Sequence, residues 1–148
     1  MNYRQAREDE LSEGDVERME LLKRSFIDPD QKKPFRTAYC FKAYNFSSLK
    51  PYCEDIVVAI DGYGDHIDKI RAKLERMLKD YDPDKDLIVP VGRATDNVLV
   101  GQIVAQKVAL KPKIQQSYVM GIYLDWSYKF YQIHLDPSIE SYELMLNI

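Results

Sequence analysis

Cysteine and histidine are scarce in this 148-residue chain, two of each. Cys40 and Cys53 fall in or beside apolar segments and lack metal-ligand spacing, which points to reduced, partly buried thiols rather than a disulfide framework. A tetrahedral zinc site of the usual ligands would need Cys40, Cys53, His66 and His134 all to converge, so no metal site is assigned. No apolar run approaches the roughly 20 residues that span a bilayer. The charged N-terminal stretch also has no signal-peptide core. A cytoplasmic protein with no membrane partner is therefore expected. Positive charge is not in surplus either: 21 Lys and Arg stand against 24 Asp and Glu, a net charge of −3. Nucleic acid is for that reason not a favoured partner. Lys107, Lys111 and Lys113 form a local basic group, but cations near a helix C-terminus also serve the helix itself.

Complete catalytic signatures are missing as well. There is no Gly-x-Ser-x-Gly elbow, and neither cysteine has an evident histidine partner. The glycine fingerprint of dinucleotide sites and the Gly-Lys-Ser/Thr of nucleotide-binding loops are both lacking. No catalytic residue and no cofactor are named, and whether the chain is an enzyme stays open.

What is present is the composition of a folded globular protein, 45% hydrophobic and 30% charged, at the size of a single domain. Residues 1–34 are dense in charge and close on Asp28-Pro29-Asp30-Gln31-Lys32-Lys33-Pro34, an N-terminal arm. Within it Val16, Met19, Leu22 and Phe26 recur at helical spacing, with Ser12 or Asp15 available as a cap. The arm packs back on the domain, pairs with a second subunit or orders on a partner; the spacing does not separate these.

Residues 35–148 read as a single α/β domain. Thr37 to Phe46 is strand-like and leads through a short helical turn, Ser47 to Cys53, into Ile56-Val57-Val58-Ala59-Ile60. That continuous apolar run suits a central strand covered on both faces. With Asp65 as its cap, a helix follows on the stripe Ile67, Ile70, Leu74, Met77, Leu78 and Tyr81, and Asp82-Pro83-Asp84 ends it. Leu87 to Val91 is a further short strand, with Pro90 favouring its end. Thr95 or Asp96 caps a largely buried helix through about Leu110, bearing Val98, Leu99, Ile103, Val104, Val108 and Leu110, with Gly101 permitting close approach to the sheet. Tyr118 to Leu124 and Tyr128 to Leu135 form an edge hairpin around Asp125-Trp126-Ser127, and Pro137 to Ile148 is a short helix or an extended tail. The order predicts a Rossmann-like three-layer sandwich with right-handed crossovers, on a mostly parallel sheet of about five strands with an antiparallel C-terminal hairpin.

Open α/β sheets bind ligands beyond the carboxyl ends of their strands. Three loops are expected there: 45–48, 61–65 and 92–97. Gly92, Arg93, Thr95 and Asp96, at a strand-to-helix turn, form an anion cradle in which free helix N–H groups lie beside a guanidinium. The same sequence would also serve a purely structural turn. Asp61, Gly62, Gly64 and Asp65, with Asp96 approaching from the neighbouring turn, offer carboxylates for Mg²⁺ or acid–base work, or simply a turn and a helix cap. The eleven tyrosines include Tyr118, Tyr123, Tyr128 and Tyr131 in the hairpin, whose tip, Trp126, is poorly placed for burial. With Met19, Leu22 and Phe26 it makes up the candidate interface. The leading expectation is a protein-interaction or regulatory module that docks on a partner or self-associates. The alternative is a protein or Mg-dependent enzyme that holds a phosphate-bearing small ligand on the loops after the second and third strands.

Overall fold

The computed structural model describes residues 32–42, 46–58 and 66–146. Met19, Leu22, Phe26, Asp61, Gly62, Gly64 and Asp65 lie outside them. Within the described residues the chain builds an α/β sandwich on a six-stranded sheet ordered β2-β1-β3-β4-β5-β6. The strands are β1 (Phe35–Cys40), β2 (Cys53–Val58), β3 (Leu87–Val89), β4 (Ser117–Leu124), β5 (Ser127–His134) and β6 (Tyr142–Leu144). β1, β2, β3 and β4 are mutually parallel; β5 and β6 add antiparallel.

Each face of the sheet buries its own apolar cluster. Helices α1 (Ile67–Met77) and α2 (Ala94–Val108) share one face, where Ile70, Leu74, Leu78, Leu99, Val100, Ile103, Val104 and Val108 pack on Tyr39, Phe41 and Ile88. The opposite face holds Phe46, Leu49 and the half-buried Tyr52 against Ala38, Cys40, Leu87, Val89, Val119 and Phe130. The chain between β1 and β2, with its short 3-10 turn Lys50–Tyr52, thus crosses on one side of the sheet. The two later crossovers take the other side. Each large apolar side chain buried this way contributes about 1.5–3 kcal/mol, and the fully buried Leu49, Leu74, Leu78 and Leu87 tie both layers to the strands.

Several expectations are corrected. β1 ends at Cys40, six residues before Phe46, because Phe46 turns into the second core instead of extending the sheet. β2 is an edge strand, with Glu54 and Asp55 exposed; its apolar run reports contact with both layers, not two strand neighbours. The central strand is β3, buried at all three positions. The β4–β5 hairpin is not the edge, since Tyr142–Leu144 pairs outside β5 and takes that place. His66 caps α1, its Nδ1 accepting from the Asp68 N–H at 3.2 Å. Gly101 is exposed and a Cβ there would meet nothing within 4 Å, so close approach is not its reason. Val98 and Leu110, 71% and 88% exposed, are surface residues; Val100 takes the inward position.

At the amino ends of the strands a charged tie replaces apolar contact. Arg36 donates from Nε and Nη2 to the two oxygens of Asp86 at 2.9 and 2.7 Å, and from Nη2 to the Asp80 carbonyl at 2.9 Å. The Asp82 N–H donates to Asp86 at 2.8 Å. Asp86 is fully buried, and a buried carboxylate persists only with such partners. The basic residues Lys107, Lys111 and Lys113 are likewise engaged. Lys107 donates to the Lys79 carbonyl, Lys111 pairs with Asp82 and Asp84, and Lys113 lies 3.9 Å from Asp136. No described helix is long and apolar enough to cross a membrane.

Candidate functional site

The strand order defines where a ligand can sit. From β1 the chain leaves toward β2 on one face; from β3 it leaves toward β4 on the other. β1 and β3 are neighbours, so their carboxyl ends diverge and leave a crevice between them, the topological switch point at which open α/β sheets bind ligands. A cleft of about 370 Å³ opens there, lined by Phe41, Lys42, Gly92, Arg93 and Asp96. Its volume falls at the small end of ligand sites.

Gly92 makes the crevice possible. Its φ is +102°, and a Cβ would stand 2.5 Å from the Phe41 carbonyl oxygen, 3.1 Å from the carbonyl carbon and 3.2 Å from Lys42 Cβ. Only glycine lets the β3 exit lie against the β1 exit so closely. The turn is braced on both sides. The Val91 N–H donates to the Val89 carbonyl at 2.9 Å, and Asn97 Nδ2 donates to the Val91 and Arg93 carbonyls at 3.2 and 2.9 Å.

Arg93 is the N-cap residue of α2 and offers no side-chain cap. Its guanidinium instead grips Asp96, with Nε to Oδ2 at 3.1 Å and Nη2 to Oδ1 at 3.0 Å. Asp96 lies in the first turn, 3% exposed, where a carboxylate also complements the helix dipole. Asp96 therefore holds Arg93 at the mouth of the cleft. Thr95, exposed within the first turn, caps nothing; the capping expected of Thr95 or Asp96 is corrected. Lys42 and Arg93 bring two cationic side chains to the cleft beside the Asp96 carboxylate, and the N–H groups at the start of α2 add positive potential.

Of the residues expected in the anion cradle, Gly92, Arg93 and Asp96 come together on the cleft. The acidic loop at Asp61 to Asp65 lies outside the described residues. β2, from which it follows, is separated from β3 by β1. Among the described residues no group of three His, Cys, Asp or Glu is placed to hold a metal ion. Phe41 and Lys42 are the residues the sequence reading missed. The available signal was Lys42 itself, the first charge after Ala38-Tyr39-Cys40-Phe41, which marks the true end of β1.

Burial pushes the Cys40 and Cys53 thiols up to about 12. Both are free and buried, and neither can act as a thiolate nucleophile at neutral pH. At the far end of the hairpin, Trp126 is 89% exposed, with Tyr123 at 46% and Leu124 at 43% beside it. No family model, curated protein or solved structure matches the chain.

Proposed function

We propose that the protein binds a phosphate-bearing small ligand in the switch-point cleft, with Lys42, Arg93 and the first turn of α2 receiving the anion. The observation that carries this reading is the coincidence of three features at one place: the divergence of the β1 and β3 connections, a cleft floored by Gly92, and two cationic side chains at a helix N-terminus. An oxyanion there would meet the N–H groups of a helix start beside an ammonium and a guanidinium, the recurrent arrangement for phosphate. Asp96 neutralises part of the charge, which favours a modest, salt-sensitive affinity over a tight one.

Calorimetric titration with pyrophosphate tests the reading. Binding is expected, weakening as salt rises. Lys42→Gln is expected to lower affinity at least tenfold, since a hydrogen bond to a charged group contributes about 1.5–3 kcal/mol and about 1.4 kcal/mol is tenfold. Lys42 is exposed, and circular dichroism of the variant checks that its fold is intact. Absence of binding at millimolar pyrophosphate would reject the reading.

A second reading, docking on a protein partner or self-association, is favoured by the exposed tip Tyr123, Leu124 and Trp126. Sedimentation velocity over a range of concentrations tests self-association, which predicts a mass that rises with concentration and falls back in Trp126→Ser. A constant monomer mass counts against it.

A further inference from the structure

We infer that the helix-free face of the sheet, over β4, β5 and β6, is the docking surface for the chain's own N-terminal arm, received through the stripe Val16, Met19, Leu22 and Phe26. The inference is independent of the phosphate reading, which concerns the carboxyl ends of the strands.

Helices α1 and α2 share one face. The other face is apolar as well, and a sheet face of that kind needs a second layer. Directly paired residues of antiparallel strands point to the same side. The pairs Phe130 with Leu144 and Val119 with Gln132 therefore carry the second core across β4, β5 and β6. Among the described residues, the connecting segment packed on this side is Phe46 to Tyr52, which joins β1 to β2 at the opposite edge of the sheet from β6. Its Tyr52 ring meets Phe130, with centroids 4.8 Å apart. Past Phe130 the same side continues as Gln132, His134 and Ser117, the partner of His134, only 2%, 7% and 3% exposed. Gln132 Nε2 donates to Ser117 Oγ at 2.8 Å. Polar side chains pair in this way where water is excluded, so this end of the face is a covered surface.

The described chain begins where such a cover would enter. Ser117 opens β4, parallel to β1 through β3, so the polar row lies at the same end of the sheet as Phe35. The Phe35 ring lies on this face, its centroid 5.0 Å from that of Phe130. Lys33, at φ 54°, turns the chain just before β1, so the arm does not continue the strand outward. Residues 1–31 lie outside the described residues, and their sequence supplies what the face lacks. Asp28-Pro29 ends the helical spacing after Phe26, which leaves residues 27–34 as a connector able to reach about 27 Å. From β1 to β5 is three strand spacings, about 14 Å. Residues 15–26 as a helix are about 18 Å long, against roughly 10 Å from β4 to β6. Tethering decides the occupant. A segment on so short a connector is present at an effective concentration on the order of millimolar, which a second copy or a free partner at micromolar concentration does not match.

Paramagnetic broadening in the full chain tests the docking. Glu17 lies on the side of the helical spacing opposite the stripe, so a nitroxide on Glu17→Cys leaves the docking residues intact. Cys40 and Cys53 are buried, and the new thiol is the one that reacts. Amides of Val119, Phe130, Gln132 and Leu144 are expected to lose most of their intensity, while those of α1 and α2 keep theirs. Leu22→Asp in the same labelled chain should abolish the effect and leave the α1 and α2 shifts in place. Isotope-labelled wild-type chain mixed with nitroxide-bearing chain at natural isotope abundance should show no broadening. Broadening in the mixture would assign the face to the arm of a second copy and overturn the inference. So would broadening spread evenly over exposed amides or centred on the hairpin tip, and so would an effect that Leu22→Asp leaves unchanged.

Discussion

Replacing Gly92 by alanine perturbs the point on which the cleft depends. Two costs combine. The backbone at φ +102° is one that a residue with a Cβ adopts at a cost of about 1–2 kcal/mol. The added methyl would also stand 2.5 Å from the Phe41 carbonyl oxygen, a backbone atom that cannot rotate away, so one strand exit must move. Overpacking of this kind adds about 1–3 kcal/mol, for a total near 3 kcal/mol. That is a large share of the 5–15 kcal/mol typical of a folded protein. At roughly 2–4 °C per kcal/mol, Tm should fall by about 6–12 °C. Urea unfolding monitored by circular dichroism gives the free energy, and Gly101→Ala is the matched control. No atom lies within 4 Å of a Cβ at Gly101, in mid-helix, and alanine there should stabilise by up to about 1 kcal/mol. A Gly92→Ala protein within about 0.5 kcal/mol of wild type, inside the ordinary scatter of surface substitutions, would refute the packing argument.

Other perturbations have signs fixed by the same structure. Trp126→Gly should raise stability by about 1 kcal/mol in denaturant unfolding, because glycine accepts φ 69° without strain; a loss of stability would show that Trp126 packs in solution. Arg36→Ala strands the buried Asp86 carboxylate and should cost about 2–4 kcal/mol, less than a fully buried pair because Arg36 is 42% exposed. A double-mutant cycle with Asp86→Asn should recover a coupling of about 1–3 kcal/mol, and strict additivity would contradict the tie. Cys40 and Cys53, raised to about 12 by burial, stay protonated in the fold while the unfolded thiols ionise. Their contribution is complete below about pH 9 and is lost as pH rises toward 12. One pH unit above the ordinary thiol value each thiol removes about 1.4 kcal/mol, and Cys40→Ala and Cys53→Ala proteins should show a correspondingly flatter decline. Tyr39, Tyr81, Tyr118 and Tyr128, also raised chiefly by burial, act in the same direction at higher pH, so the comparison is made below about pH 10.

The layers of the fold were legible because periodicity is written in apolar residues. The stripe Ile70, Leu74, Leu78 and Tyr81 is buried as its spacing requires, and Leu87 to Val89 is a buried strand as its composition requires. Strand order was not legible. The apolar content of β2 and β3 is similar, and only pairing, a non-local property, makes one an edge and the other the centre. β6 escaped because three residues are too short to display an alternation. At the site, Gly92, Arg93 and Asp96 were legible from strand-to-helix punctuation. Phe41 and Lys42 were missed, because Thr37 to Phe46 reads as one strand although the charge of Lys42 interrupts it and the chain leaves the sheet after Cys40. The pairing of Arg93 with a buried Asp96 was also hidden, since an i,i+3 ion pair on a first turn looks like surface charge until α2 is docked.

The central claim is that the switch-point cleft is an anion site, and the most direct test is a titration of isotopically labelled protein with pyrophosphate followed by amide chemical shifts. Saturable shifts are expected, concentrated on Phe41, Lys42 and Gly92 to Asn97, sensitive to salt and weakened in Lys42→Gln. Shifts confined to other surfaces, or none at millimolar ligand, would contradict it.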